Sequence, residues 1–121
     1  MDFGLRAVSG VYSGNMVEQL SVHDLKKKID DGDKFLLVDV RNNNELDICK
    51  FDTALHIPLH LLTVRYNELP QDAEIVFTCH HGGRSMQAAN FLVNQGYRNV
   101  ANLVGGIDAW ANHIDPNMAK Y

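Results

Sequence analysis

The apolar positions of this chain change period along its length. Leu25 and Ile29 lie four apart, with Ser21 and Asp24 spaced as a capping box ahead of them, so the pattern predicts a helix ending at Asp30. Leu20 to Val22 reads as a short first strand or its end, and Asp31 to Asp33 as a turn around Gly32. Phe35 to Val40 is apolar without alternation, the pattern of a strand covered on both faces of a sheet. Asp39 interrupts it, and a lone carboxylate in such a run needs a reason.

Further on, Asn42 to Ile48 reads as a short helix and Ala54 to Ile57 as a short strand, with Pro58 opening a helix to about Tyr66. Residues 69–72 form a loop and Glu74 to Thr78 a second buried strand. From Ser85 the apolar residues Met86, Ala89, Leu92 and Val93 recur at helical spacing, and Gly96 caps the end. Asn99 to Leu103 is a last strand, after which Gly105 and Gly106 turn the chain into a short helix with Trp110 in the core. Strands alternating with helices over short loops predict an α/β fold, a mostly parallel sheet with helices on both faces. Residues 1–17, broken by Gly4, Gly10 and Gly14, read as a loosely ordered extension. Residues 18–114 form the domain and 115–121 a polar tail.

The 121 residues suit one domain. With 45% hydrophobic and 21% charged residues, the chain can build a core without disulfide or metal. A net charge of −4 argues against nucleic acid or an anionic membrane as partner. No apolar run approaches the roughly 18 residues of a membrane span, and the N-terminus lacks the basic-then-apolar pattern of a signal peptide. Two cysteines, Cys49 and Cys79, are too few for a disulfide framework, so a reducing, cytoplasmic setting is expected.

The chemistry concentrates in Cys79, His80, His81, Gly82, Gly83, Arg84 and Ser85, directly after a buried strand. Ligands in such sheets bind beyond the carboxyl ends of strands. The thiolate is the reactive form of cysteine, favoured by a helix N-terminus or a nearby cation. Gly82 and Gly83 allow a tight turn whose amides point inward as an anion cradle, and Arg84 can grip an oxyanion through two N–H groups. In the plainer alternative, Cys79 is a small buried residue and the glycines merely turn the chain.

Asp39 and Arg41 read as supports, a strand-end carboxylate that accepts amides or pairs with an arginine. Glu45, one helical turn beyond Arg41, reads as one half of a surface ion pair, Cys49 as packing rather than a resolving thiol, and Lys26, Lys27 and Lys28 as a solvated helix face. No metal is expected. Pro58 separates His56 from His60, so they should share no helix face. His80 and His81, being adjacent, should not converge with Cys79, and no fourth ligand is apparent.

The ordered set Asp39-Val-Arg41, Cys79-x-x-Gly82-x-Arg84-Ser85 and Gly105-Gly-Ile-Asp-Ala-Trp110 resembles the rhodanese domain over about residues 18–114, as a stand-alone unit rather than half of a two-domain enzyme. The chain departs from the family at Cys49-Lys50-Phe51, where Gly-His-Ile is frequent. The resemblance implies a three-layer domain around a five-stranded sheet, and a sulfurtransferase. Cys79 would take sulfur from a small donor such as thiosulfate as a persulfide and give it to cyanide, a thiol or a protein acceptor, with no other cofactor. The amides of residues 80–85 would steady the persulfide. Arg84 would position the donor's sulfonate, with His80 or His81 either assisting or facing solvent. A non-catalytic binding module is the alternative of another class. A cysteine phosphatase or arsenate reductase is disfavoured, because only four residues separate Cys79 from Arg84 and a phosphate loop needs five.

Overall fold

The structure, a computed structural model, describes residues 17–121. The expected extension therefore lies outside the described residues except for Val17, which opens the first strand. In chain order the elements are β1 (Val17–Leu20), α1 (Val22–Asp30), β2 (Leu36–Asp39), α2 (Asn43–Leu46), β3 (Leu55–His56), α3 (Leu59–Arg65), a 3-10 turn (Tyr66–Glu68), β4 (Ile75–Thr78), α4 (Gly83–Asn94), β5 (Val100–Leu103) and α5 (Gly106–His113).

The five strands lie in the order β1-β5-β4-β2-β3, and every pair is parallel. Alternate residues of one strand face opposite layers. Val38, Ile75, Phe77 and Val100 join Leu62 of α3 and Ala88, Ala89 and Leu92 of α4 in one buried cluster. Leu37, Val76, Ala101 and Leu103 join Leu25 of α1 and Ile107 and Trp110 of α5 in the other. Trp110 is thus core, packed edge-on against Phe51. The central strands carry unbroken apolar runs because both faces are covered.

Local signals set most boundaries. Ser21 Oγ accepts from Asp24 N at 3.0 Å while Asp24 accepts from Ser21 N, closing the capping box that starts α1. Gly32 and Gly96 end their helices at positive φ. Ile29 departs from its expected core role and is 44% exposed, because Leu25 and Val22 alone meet the sheet. Lys28 likewise leaves the solvated face and pairs with Glu74, the residue just ahead of β4. No helix among the described residues is long and apolar enough to cross a membrane.

Candidate active site

Strand β4 ends at Thr78, so Cys79 is the first residue beyond the sheet's carboxyl edge. Gly82 takes a left-handed conformation (φ +111°) and caps α4, which begins at Gly83, two residues ahead of the expected Ser85. This places the first turn of α4 directly against the sulfur. Cys79 Sγ accepts from Gly82 N at 3.0 Å and from Ser85 N at 3.4 Å, with Ser85 Oγ at 3.3 Å. Two converging amides at a helix N-terminus favour negative charge on the sulfur or on an atom attached to it. Cys79 is 1% exposed and Ser85 fully buried, while Gly83 stays at the surface.

The loop is clamped from behind by α5. Ile107 N donates to Cys79 O at 2.9 Å and Asp108 N to His80 O at 3.0 Å. That approach requires glycine at 106, where φ is +59° and a Cβ would collide with the Cys79 and His80 carbonyls. Gly106→Ala is expected to cost more than about 2 kcal/mol, the left-handed penalty plus displacement of the loop backbone. Urea melts against the parent chain check it; a loss under about 0.5 kcal/mol would mean the loop yields freely.

Asp39 and Arg41 form the floor beside the loop, both essentially without exposed surface. Arg41 donates from Nε and Nη2 to the Asp39 carboxylate at 2.7–3.1 Å, and Asp39 Oδ1 also accepts Arg41 N at 3.0 Å. The other guanidinium edge donates to Cys49 O at 2.9 Å and to the Tyr121 hydroxyl at 3.0 Å. Cys49 packs against the second cluster, its Sγ 3.9 Å from Arg41 Nη1.

Because Arg41 turns inward, Glu45 is not its surface partner, contrary to expectation. Glu45 instead receives Arg84 through two parallel bonds of 2.7 and 2.8 Å, along with Asn42 N at 3.0 Å and the Tyr121 hydroxyl at 2.8 Å. Its side chain is only 12% exposed. Arg84, before the opposing effect of burial, pulls the Glu45 carboxyl down to about 2. Tyr121, whose burial pushes its phenol up to about 12 against the pull of Arg41, remains a neutral donor to Glu45. A depressed carboxyl stabilises the fold above its ordinary value near 4.5 and loses that contribution as pH falls toward 2. Glu45→Gln is therefore expected to flatten the acid limb of the stability curve between those values, read by urea melts at stepped pH. An unchanged limb would remove Glu45 from the acid response.

His80 and His81 line the mouth. The His80 ring stacks on Tyr121 with centroids 3.8 Å apart and planes 7° from parallel, and the His81 ring lies tilted by 40° with its centroid 3.9 Å from that of His80. Burial, then the neighbouring His81, holds the His80 imidazole below its ordinary value. His81 is two-thirds exposed, its Nε2 3.8 Å from Asp108 Oδ2. One ligand atom each from His80, His81 and Asp108 lies within 4.8 Å of the others. Adjacent histidines do converge here, with α5 rather than with Cys79. His56 sits on β3, its Nε2 2.6 Å from Arg41 O, and His60 in α3; both line one cavity of about 460 Å³ with Asn42, Asn43 and Arg65.

Sequence reasoning missed four contributors. Ser85 Oγ donates to Asn102 Oδ1 at 2.6 Å, Asn102 Nδ2 donates to Gln19 Oε1 at 3.1 Å, and Gln19 Nε2 reaches Met86 Sδ at 3.2 Å. Asn102 carried a usable signal, a polar residue inside an apolar strand, the same anomaly that marked Asp39. Asp108 lies inside the Gly105–Trp110 motif, where the sequence alone gives it no role. Tyr121, in the expected polar tail, carried no signal at all; the tail folds back so that its ring covers His80.

The model of the rhodanese-like domain family matches residues 21–113. A protein from Allochromatium vinosum named sulfurtransferase is 40% identical over 104 residues, covering 86% of this chain and 97% of its own. Maize adenylyltransferase and sulfurtransferase MOCS3-2 is 28% identical, and the match covers 85% of this chain but only 23% of that larger protein. The crystal structure of a rhodanese-related protein from Thermoplasma volcanium superimposes with a TM-score of 0.72 at 28% identity, over 80% of this chain and 93% of the other. With the five-stranded parallel sheet and the cysteine loop at its carboxyl edge, the chain belongs to the rhodanese-like domain family.

Proposed function

We propose that the protein is a sulfurtransferase that carries sulfane sulfur on Cys79. The observation behind this reading is the pair of amides, from Gly82 and Ser85, that converge on Cys79 Sγ at the start of α4. In the first step the Cys79 thiolate attacks the outer sulfur of a donor such as thiosulfate. A new S–S bond forms, the bond to the sulfonate sulfur breaks, and sulfite leaves with the electron pair. Cys79 then bears a persulfide whose charge sits on the outer sulfur, in reach of helix and loop dipoles. An acceptor thiolate or cyanide attacks that outer sulfur and releases Cys79 as thiolate, which is covalent catalysis with ping-pong order.

Arg84 has a narrower part than a free sulfonate clamp. Both of its terminal nitrogens donate to Glu45, so it shapes the loop and offers a donor only the N–H groups left over. The maize relative joins a sulfurtransferase to an adenylyltransferase in one chain, which supports a protein acceptor alongside small thiols.

Intact-protein mass spectrometry after thiosulfate treatment tests the reading. The expected result is a gain of one sulfur atom, reversed by cyanide and absent from Cys79→Ser. Folded, reduced protein that gains no sulfur would overturn it in favour of a binding module.

A further inference from the structure

A count of protons around the sulfur shows that two influences on Cys79 oppose each other. Ser85 Oγ has one proton. It lies 2.6 Å from Asn102 Oδ1, which has none, so Ser85 must be the donor in that bond. The amide of Asn102 is held in this sense because its Nδ2 donates to Gln19 Oε1, while Gln19 Nε2 donates to Met86 Sδ. Ser85 therefore turns only a lone pair toward Cys79 Sγ, 3.3 Å away. A lone pair accepts from a thiol S–H and repels a thiolate. The amides of Gly82 and Ser85 act in the opposite sense and favour the anion.

We propose that Asn102 is a positioning residue that fixes the direction of the chain Cys79 S–H to Ser85 to Asn102, and so makes the empty thiolate that attacks the donor costlier to form than it would be with the Ser85 hydroxyl turned to the sulfur. This rests on Cys79 being the reacting sulfur. To ionise, the site must either turn the Ser85 hydroxyl away from Asn102, leaving Oδ1 bare where Asn102 is 5% exposed, or leave the thiolate facing a lone pair. A buried polar group without its partner is costly either way. The persulfide escapes this cost, since its inner sulfur is uncharged and its charge lies one atom further out. The direction of the chain thus disfavours the empty thiolate and not the loaded enzyme.

The other charged or titratable groups around the loop are Arg84 with Glu45 of α2, the Asp39–Arg41 pair at the end of β2, His80 and His81 on the loop itself, Asp108 of α5, and Tyr121. Among the described residues none of these is hydrogen-bonded to Asn102, whose side chain bonds Ser85 and Gln19. Removing its amide leaves them in place.

The test is a pH titration of the thiolate ultraviolet absorbance in a Cys49→Ser background, so that Cys79 is the one thiol. Asn102→Leu frees the Ser85 hydroxyl to turn to the sulfur, and the titration midpoint is expected to fall by about one pH unit. Gln19→Leu, at an exposed position of β1, releases the Asn102 amide without emptying a buried site and should move the midpoint the same way by less. Loosened packing that let water reach the sulfur would also lower the midpoint, so Ser85→Ala is added to Asn102→Leu as the control. With no hydroxyl to turn, the fall should disappear, and a fall that persists overturns the proposal. If Asn102 instead gave its Nδ2 to Ser85, the parent thiolate would already have the hydroxyl, and both variants would leave the midpoint unchanged or raise it. That outcome overturns the proposal, and if Asn102→Leu does not fold, the Gln19→Leu result alone decides. A lowered midpoint in a protein that gains no sulfur from thiosulfate would keep the proton order and reject the transferase.

Discussion

Cys79→Ser is expected to lower sulfur transfer by at least about a thousandfold while leaving the fold intact. The serine oxygen can accept the same amides from Gly82 and Ser85 that the sulfur accepts, so the loop keeps its shape. What is lost is the atom that carries the charge. An alcohol is scarcely ionised near neutral pH, and an oxygen does not form the S–S bond that the transfer needs. The drop should appear in turnover with thiosulfate and a thiol acceptor, alongside a urea midpoint close to that of the parent. Activity within tenfold of the parent would move the reacting group elsewhere, and Cys49, 3.9 Å from Arg41, would be the next thiol to remove.

The largest loss of stability is expected from Asp39→Ala, about 3–5 kcal/mol. Arg41 is always charged and has no exposed surface. With Asp39 gone, Nε and Nη2 lose their carboxylate, and among the described residues Cys49 O and Sγ, Glu45 O and the Tyr121 hydroxyl remain as partners. A buried cation without its counter-charge costs far more than the pair gains over apolar replacements. Removing both charges, as in Asp39→Ala with Arg41→Met, should therefore recover part of the loss, a result that a purely additive contribution would not give. Urea melts of the two variants check this; additive losses would mean that water reaches the guanidinium.

The fold was legible because its signals are local. Three of the five strands, β2, β4 and β5, follow from apolar runs, and the helices from spacing and caps, as at Ser21 and Gly96. Strand β1 lies at Val17–Leu20 rather than Leu20–Val22, because exposed Glu18 and Gln19 break its apolar pattern and Val22 opens α1. The strand expected over Ala54–Ile57 is present but only two residues long, Leu55–His56, at the sheet edge, where pairing on one side sustains little strand. The site was legible only where chemistry and local order coincide, as in residues 79–85. Glu45 reads as part of a surface pair because its local sequence is polar, whereas its partner Arg84 lies 39 residues on and the pair closes over the largely buried Glu45 carboxylate. Asn102 was passed over although it breaks an apolar strand as plainly as Asp39 does. Tyr121 and Asp108 reach the site through the docking of α5 and the tail, which no window of sequence reveals.

The bonds that shape the sulfur's surroundings join residues far apart in the chain, 39 for Glu45 with Arg84, 83 for Gln19 with Asn102 and 80 for Arg41 with Tyr121. All-parallel pairing has the same character, since each neighbouring strand arrives only after a crossover. Contacts of this kind incur their chain-closure entropy before they return any stabilisation, so they form slowly and late. A nascent or refolding molecule can hold its helices while the loop amides and Asn102 are still out of register. During that interval the amides of Gly82 and Ser85 are not yet fixed on the sulfur, and the bonded surroundings of Cys79 are complete only once β1 has closed against β5.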